Sequence, residues 1–372
     1  METGGRALAQ SLSEDARARE RAEFAASAGW GDAAINAFPG DASTRRYFRL
    51  NRGGERAILM DAPAASEAPL APDNASPAER EALGYNAVAR LAGNNVAAFA
   101  GIAQALAERG FSAPRVLAAD VQRGLLLIED LGDALYARAI PAGAHEGTLY
   151  ASAVDTLAAL YRSSFPDVFE ACGSHWRVHA YDETALLAET RLYLDWYLPR
   201  FAGDPSADFR AEWDGLWRQA LATLGAHAPG LALRDYHAEN LIWLPERDAE
   251  SRTGLLDFQD GLFAHPAYDL VSLIEDARRD VSPDLADPLK TRFFKAAKLQ
   301  DRAGFDAAYA VLGAQRNAKI LGIFVRLAER DGKARYLDLI PRVRAHFEQD
   351  LAHPALRDIA ALVRRVLPEG AR

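Results

Sequence analysis

Between Leu233 and Asp257 the chain reads L-R-D-Y-H-A-E-N-L-I-W-L, then a polar turn, then G-L-L-D. Asp235 and Asn240 stand five positions apart, and Asp257 closes a short apolar run. Moving a phosphoryl group from a nucleotide to a hydroxyl calls for this set. One carboxylate must orient the hydroxyl and take its proton, and further oxygen ligands must hold Mg²⁺ against the phosphates as charge develops. Asp235 suits the first task, Asn240 and Asp257 the second. Taken singly, D-x-x-x-x-N recurs by chance and Asp257 reads as a turn residue at a strand end. Context gives the three their weight. Residues 241–244 and 254–256 read as short strands around a turn at 245–253, so a hairpin would bring Asn240 and Asp257 to one end.

Other elements must carry these groups. A leading helix is expected over 14–29, stopped by Gly29. Residues 37–50 and 56–61 read as a hairpin turning at Gly53 and Gly54. After a loop rich in Pro, Ala and Ser at 62–78, Ser76, Pro77 and Glu79 form a capping box that opens a helix to about Ala92. A second helix is expected over 96–109. Strands at 114–119 and 124–128 follow, the latter running into Glu129-Asp130-Leu131-Gly132. From Asp133 onward the pattern is helical, over about 146–164, 183–198, 207–226, 267–279, 284–299, 304–330 and 336–366, interrupted only near Asp235. The expectation is an α+β, bilobal chain: a small β-containing lobe over 1–132 and a larger, mostly helical lobe over 133–372, with a nucleotide in the cleft.

Composition narrows the class of partner. The 372 residues, 49% hydrophobic and 26% charged, are those of an ordinary globular protein with room for two cores. A formal net charge of −9 argues against a nucleic-acid backbone or an anionic membrane as main partner. The lone cysteine, Cys172, cannot form an internal disulfide, and the first residues are polar rather than an apolar leader. No apolar run approaches the ~20 residues of a membrane span. A cytoplasmic small-molecule enzyme is expected.

The strings L-R-D-Y-H-A-E-N-L, G-L-L-D-F-Q-D and H-P-A-Y-D-L-V-S-L together resemble the aminoglycoside-phosphotransferase and choline-kinase group of kinase-like enzymes. G-D-A-S-T-R-R-Y-F-R-L at 40–50, A-I-L-M-D-A-P at 57–63, L-I-E-D-L-G at 127–132, D-A-R-R-D-V at 276–281 and Q-R-N-A-K-I-L-G-I-F at 315–324 look like one branch. That branch is the bacterial kinases that phosphorylate the anomeric hydroxyl of N-acetylmuramate and N-acetylglucosamine in peptidoglycan recycling. The resemblance spans about 14–350 and implies a protein-kinase-like fold using ATP and Mg²⁺. It makes Asp235 the base, Asn240 and Asp257 the metal ligands, and Glu129 to Leu131 the hinge whose backbone meets adenine. It also makes Asp269 a brace for the catalytic loop and His237 mainly a loop-packing residue.

One expected part is missing. Protein kinases hold the α- and β-phosphates with a strand lysine paired to a helix glutamate. Here the first lysine is Lys290, the strand reads Ala57-Ile58-Leu59-Met60, and the second small-lobe helix offers only Gln104 and Glu108 as long polar groups. Arg45, Arg46 and Arg49 stand nearby, after Gly40, Asp41, Ala42 and Ser43, whose backbone could approach phosphates. Arginine grips phosphate in a fork, so Arg45 or Arg46 is the expected substitute, although solvated strand arginines are the commoner case. In a strand Arg45, Tyr47 and Arg49 share one face, and Arg46, Phe48 and Leu50 the other.

On the acceptor side, Asp195 and Trp196, in R-L-Y-L-D-W-Y-L, could bind a sugar by carboxylate and ring, although a Tyr/Trp stripe is more often core. Arg278 and Arg279, or Arg316 and Lys319, could meet a lactyl carboxylate, although exposed helix charge is the usual explanation. The rivals are a kinase of another hydroxyl, on an aminoglycoside or a choline-like alcohol, and a nucleotide-binding pseudokinase. The absent lysine favours the pseudokinase and the intact Asp235, Asn240 and Asp257 set opposes it. No A-P-E string follows Asp257, which counts against protein acceptors.

Overall fold

The computed structural model describes residues 2–39, 44–63 and 69–367. Five strands, β1 (Ala34–Ala37), β2 (Arg46–Arg52), β3 (Glu55–Asp61), β4 (Val116–Asp120) and β5 (Leu125–Glu129), form an antiparallel sheet in the order β1-β2-β3-β5-β4. The β2–β3 turn is as tight as the sequence suggests. Gly53 and Gly54 both take positive φ, +53° and +91°, the backbone that a two-residue turn between twisted strands requires.

Strand alternation divides the sheet into two faces. Phe48, Leu50, Ala57, Leu59, Leu125 and Leu127 pack on Phe24 and Ala25 of the leading helix, Glu2–Ser27. That helix is longer than the expected 14–29. Arg17 and Arg21 fasten it, both reaching the buried Asp61 carboxylate at 2.6 and 2.7 Å. Met60, Leu126 and Ile128 face the other way, into the main core with the helix Val96–Ala107. Phe99 of that helix stacks on Phe258, one residue beyond Asp257, at 4.8 Å. This helix thus joins the sheet to the segment expected to carry the chemistry.

The helix capped by Ser76 and Glu79 ends at Leu83 rather than near Ala92, because Gly84 turns the chain at φ +99°. The rest is mostly helical, with two small sheets that periodicity does not reveal. One pairs Val168–Ala171 with Ser174–Arg177 through a Cys172-Gly173 turn; Cys172 takes φ +54°, which its residue type does not announce. The other pairs Gly230–Ala232 with Leu262–Ala264 and brackets the catalytic segment. The expected helix over 183–198 runs Glu183–Leu192 and then widens, with Leu198 N–H donating five residues back to Tyr193.

The long helix Arg302–Glu329 crosses Glu183–Leu192 at Gly322, where a β-carbon would fall 2.2 Å from the Leu192 carbonyl oxygen. This close approach sets Gln315 and Lys319 against Glu189, at 3.0 and 3.4 Å. Against the middle of that helix, Asp350 is buried, accepts from Asn317 at 3.1 Å and lies beside Glu275. Burial first, and then the Glu275 charge, push the Asp350 carboxyl well above the usual range. A native pKa raised above the unfolded value means that the native state binds more protons, so this stabilisation is complete below the unfolded pKa and is lost as pH rises. Asp350→Asn is expected to raise the melting temperature, and by more at pH 8 than at pH 5. An equal change at both values would show that the carboxyl titrates normally.

Candidate active site

The segment 233–240 lies between the strands Gly230–Ala232 and Leu241–Trp243. Its backbone bends sharply, with Arg234 at φ +69°, a conformation that must be held from outside. Asp269 does so, accepting Leu233 N–H at 2.6 Å and Arg234 N–H at 2.9 Å. Burial pushes Asp269 up to about 7 against the pull of these two bonds. The Arg234 side chain runs the other way into the core, to Glu189 at 2.5 Å and to the Ala89 carbonyl at 3.0 Å. Lys319 adds a second cation 3.4 Å from Glu189.

The hairpin of Leu241–Trp243 with Thr253–Leu255 then carries Asn240 to Asp257, and Leu256 N–H donates to the Asn240 carbonyl at 3.0 Å. Asp235, Asn240 and Asp257 line one cavity of about 630 Å³, with Arg45, His237, Glu239, Arg278 and Tyr336. Burial opposes the charge of Asp235, but its positive surroundings hold its pKa below the ordinary value. His237, Lys319, Arg316 and Arg234 make up these surroundings, and burial pushes His237 itself down to about 4. A carboxylate kept ionised beside a cavity is the state a proton acceptor needs.

Asn240 donates through Nδ2 to the Asp235 carbonyl at 3.0 Å, which leaves its amide oxygen for another partner. Asp257, at φ +55°, accepts on Oδ1 from Arg45 at 3.1 Å and from Gln259 at 2.9 Å. Burial, opposed by Arg45, raises its pKa. Among the described residues no group of three or more His, Cys, Asp and Glu side chains is arranged to hold a metal ion. One amide oxygen and one carboxylate fit Mg²⁺, which keeps waters and takes substrate phosphates as ligands.

The structure separates the neighbouring arginines. Arg45, Tyr47 and Arg49 do share a face: Arg45 enters the cavity, and Arg49 reaches Asp130 at 2.8 Å and Asp133 at 2.8 Å. Arg45 is drawn in by Asp257; burial disfavours its charge, yet the surrounding acids raise its pKa. Arg46 lies on the outer face, over Phe48 and 2.5 Å from Glu14, so of the two expected phosphate ligands it is the one outside the cavity. Ser43, with residues 40–42, lies outside the described residues. Arg45→Ala is expected to weaken ATP use about tenfold, as for loss of one charged contact. Unchanged kinetics in ATP would remove Arg45 from the site.

At the expected hinge, the Glu129 carboxylate is held by Arg115 at 3.0 Å and Arg247 at 3.2 Å. Leu131 packs with Ile242 and Leu244. On the acceptor side Asp195 and Trp196 are corrected. Asp195 is a surface acid paired to Arg210 at 2.6 Å, and Trp196 packs against the core, because the widened turn points Tyr193 and Tyr197 inward, Tyr193 onto Trp213 and Phe347 and Tyr197 onto Tyr193. Arg279 is likewise outside, paired with Glu146 at 2.8 Å, whereas its neighbour Arg278 faces the cavity. Arg316 is inside. It lines a second cavity of about 250 Å³ that shares Asp235 and Arg278 with the first, and its Nη1 is buried without a partner.

A family model described as the phosphotransferase enzyme family matches residues 34–307. The chain belongs to this family. An N-acetylmuramate/N-acetylglucosamine kinase of Caulobacter vibrioides is 47% identical over 354 residues, 95% of this chain and 97% of the relative. A protein of Pseudomonas aeruginosa with the same name is 31% identical over 92% of each chain. Among solved structures, a choline/ethanolamine kinase family protein from Mesorhizobium loti aligns over 95% of this chain and 99% of its own at a TM-score of 0.55 and 17% identity. An aminoglycoside 2'-phosphotransferase-IIIa solved with GDP aligns over 84% and 92% at a TM-score of 0.53 and 11% identity. These two likenesses show the fold, that of the aminoglycoside phosphotransferase and choline kinase group. In this phosphotransferase, sequence spacing alone misses Glu189 and Tyr336; a glutamate in mid-helix among apolar residues is the one signal that could have marked Glu189.

Proposed function

We propose that the protein is an ATP-dependent sugar kinase that transfers the γ-phosphoryl to the anomeric C1 hydroxyl of N-acetylmuramate, N-acetylglucosamine or both, in cell-wall recycling in the cytoplasm. Residues 1–132 would form the nucleotide lobe and 133–372 the acceptor lobe. Asp235 orients the hydroxyl and takes its proton, and Arg45 meets the nucleotide phosphates. Asn240 and Asp257 would hold Mg²⁺, which supplies charge neutralisation on the phosphates.

The observation that carries the acceptor is the charge of the smaller cavity. Arg234, Arg278, Arg316, Lys319 and Arg326 line it against Glu189, Asp235 and Asp260, and Glu189 is already paired with Arg234 and Lys319. Such a wall repels a polycationic aminoglycoside or a choline-like alcohol and suits an acceptor with a carboxylate. The buried, unpartnered Nη1 of Arg316 would receive a lactyl carboxylate, and Leu91, Ile320 and Ile323 would meet an acetyl methyl. The names of the relatives support the same reading.

The test is labelled transfer from ATP with Mg²⁺ to N-acetylmuramate, N-acetylglucosamine, kanamycin and choline in parallel. Transfer to the N-acetyl sugars, with kcat/KM higher for N-acetylmuramate, is expected. Transfer to kanamycin or choline alone would overturn the assignment, and ATP binding without transfer to any acceptor would favour the pseudokinase.

A further inference from the structure

Without a strand lysine, the transferring phosphoryl group needs positive charge from elsewhere. Several arginines near Asp235 are already engaged: Arg45 by Asp257, Arg234 by Glu189, Arg279 by Glu146. Arg278 differs. Among the described residues its guanidinium has no carboxylate within ion-pair distance, and it shares with Asp235 the property of lining both cavities. A phosphoryl group passing from a nucleotide in the larger cavity to a hydroxyl in the smaller one must cross that boundary.

Arg278 is also fastened twice, through its backbone and through its guanidinium. Asp276, buried, accepts Arg278 N–H on Oδ1 at 2.8 Å and Ala238 N–H on Oδ2 at 3.3 Å, tying the Arg278 backbone to the catalytic segment. At the other end Arg278 Nη1 lies 3.2 Å from His237 Nε2. A guanidinium has donors only, so the imidazole nitrogen accepts there. His237 sits three residues before Asn240 and is itself buried. Its contact uses one Nη1 hydrogen and leaves the other donors of the fork for the cavity.

We propose that Arg278 grips the equatorial oxygens of the transferring phosphoryl group at the junction of the two cavities, and that His237 is the positioning residue that aims it. This rests on the kinase reading above. In the step, the sugar C1 oxygen bonds to the γ-phosphorus, and the bond from that phosphorus to the β,γ-bridging oxygen breaks with its electron pair leaving on ADP. The hydroxyl proton passes to the Asp235 carboxylate. Charge spread over the three equatorial oxygens during the exchange is what a forked, preorganised cation stabilises.

The experiment compares Arg278→Ala, Arg278→Lys, His237→Ala and the Arg278/His237 double alanine variant with the wild-type chain, measuring kcat and KM for both N-acetyl sugars alongside melting curves. Arg278→Ala is expected to lower kcat about 10²–10³-fold with both sugars, as loss of one preorganised donor does, with sugar KM changed less than about threefold. Added guanidinium ion should restore part of that kcat. His237→Ala should cost about tenfold alone and nothing further in the Arg278→Ala background, the signature of a residue acting through another. Arg278→Lys guards against a folding defect: it keeps the charge, loses the fork, and should still lower kcat about tenfold at an unaltered melting temperature. Unchanged kcat in Arg278→Lys and Arg278→Ala overturns the proposal. So does a loss confined to the KM of N-acetylmuramate, which would make Arg278 a carboxylate anchor, or full multiplicativity of the two alanine changes. If Asp235→Asn leaves transfer intact the kinase reading itself fails; an active Arg278→Ala beside a dead Asp235→Asn removes this inference alone.

Discussion

Asp235→Asn is expected to lower kcat by about 10²–10⁴-fold, the range for removal of a positioned general base, while ATP still binds. The substitution keeps the shape of the segment. Leu233 and Arg234 remain held by Asp269, and the Asn240 amide bonds the backbone carbonyl of residue 235, not its side chain. What disappears is a carboxylate kept ionised by Arg234, Arg316 and Lys319 despite its burial. Steady-state kinetics beside nucleotide binding separates the outcomes. A variant that transfers at the wild-type rate would place the proton acceptor elsewhere, and one that loses ATP binding as well would point to a structural role.

Glu189→Ala is expected to be the most destabilising single change near the site. Glu189 is fully buried and receives Arg234, Lys319, Gln315 and the Tyr181 hydroxyl. Removing it leaves two cations in the interior with no counter-charge. Breaking a buried pair in this way costs about 3–5 kcal/mol. The Arg234 guanidinium would then seek solvent and pull the strained backbone before Asp235 with it. Denaturant unfolding should show a lower midpoint, and activity should fall even below that midpoint. Glu189→Gln keeps the hydrogen-bonding shape and should lose less activity while remaining destabilised. If Glu189→Ala melts like the wild type, the ion pair is not what holds the segment.

The convergence of Asp235, Asn240 and Asp257 on one cavity was legible because it depends on local structure. A five-residue spacing and a hairpin fix it, and hairpins announce themselves by short apolar runs around a polar turn. The small sheet and most helices were legible for the same reason, through periods of two and 3.6 and through caps such as Ser76 with Glu79. What the sequence hid was tertiary. Arg45 and Arg46 are adjacent and chemically identical; Phe48 draws one outward with Glu14, and Asp257, more than two hundred residues away, draws the other inward. Arg278 and Arg279 are divided in the same manner by His237 and Glu146. The aromatic string around Asp195 offered two faces, and the widened helical turn decided which one is buried. The Cys172-Gly173 turn escaped notice because a cysteine there takes a conformation usually left to glycine or asparagine.

The site built on Asp235 is expected to phosphorylate the anomeric oxygen of an N-acetyl amino sugar. The most direct measurement is a phosphorus–proton correlation NMR spectrum of the product formed from ATP and N-acetylmuramate by the wild-type chain, with Asp235→Asn run in parallel. The expected product is a single sugar phosphate whose phosphorus couples to the anomeric proton, with no such signal from the variant. Coupling to the C6 protons instead, or a 1-phosphate formed equally well by Asp235→Asn, would contradict it.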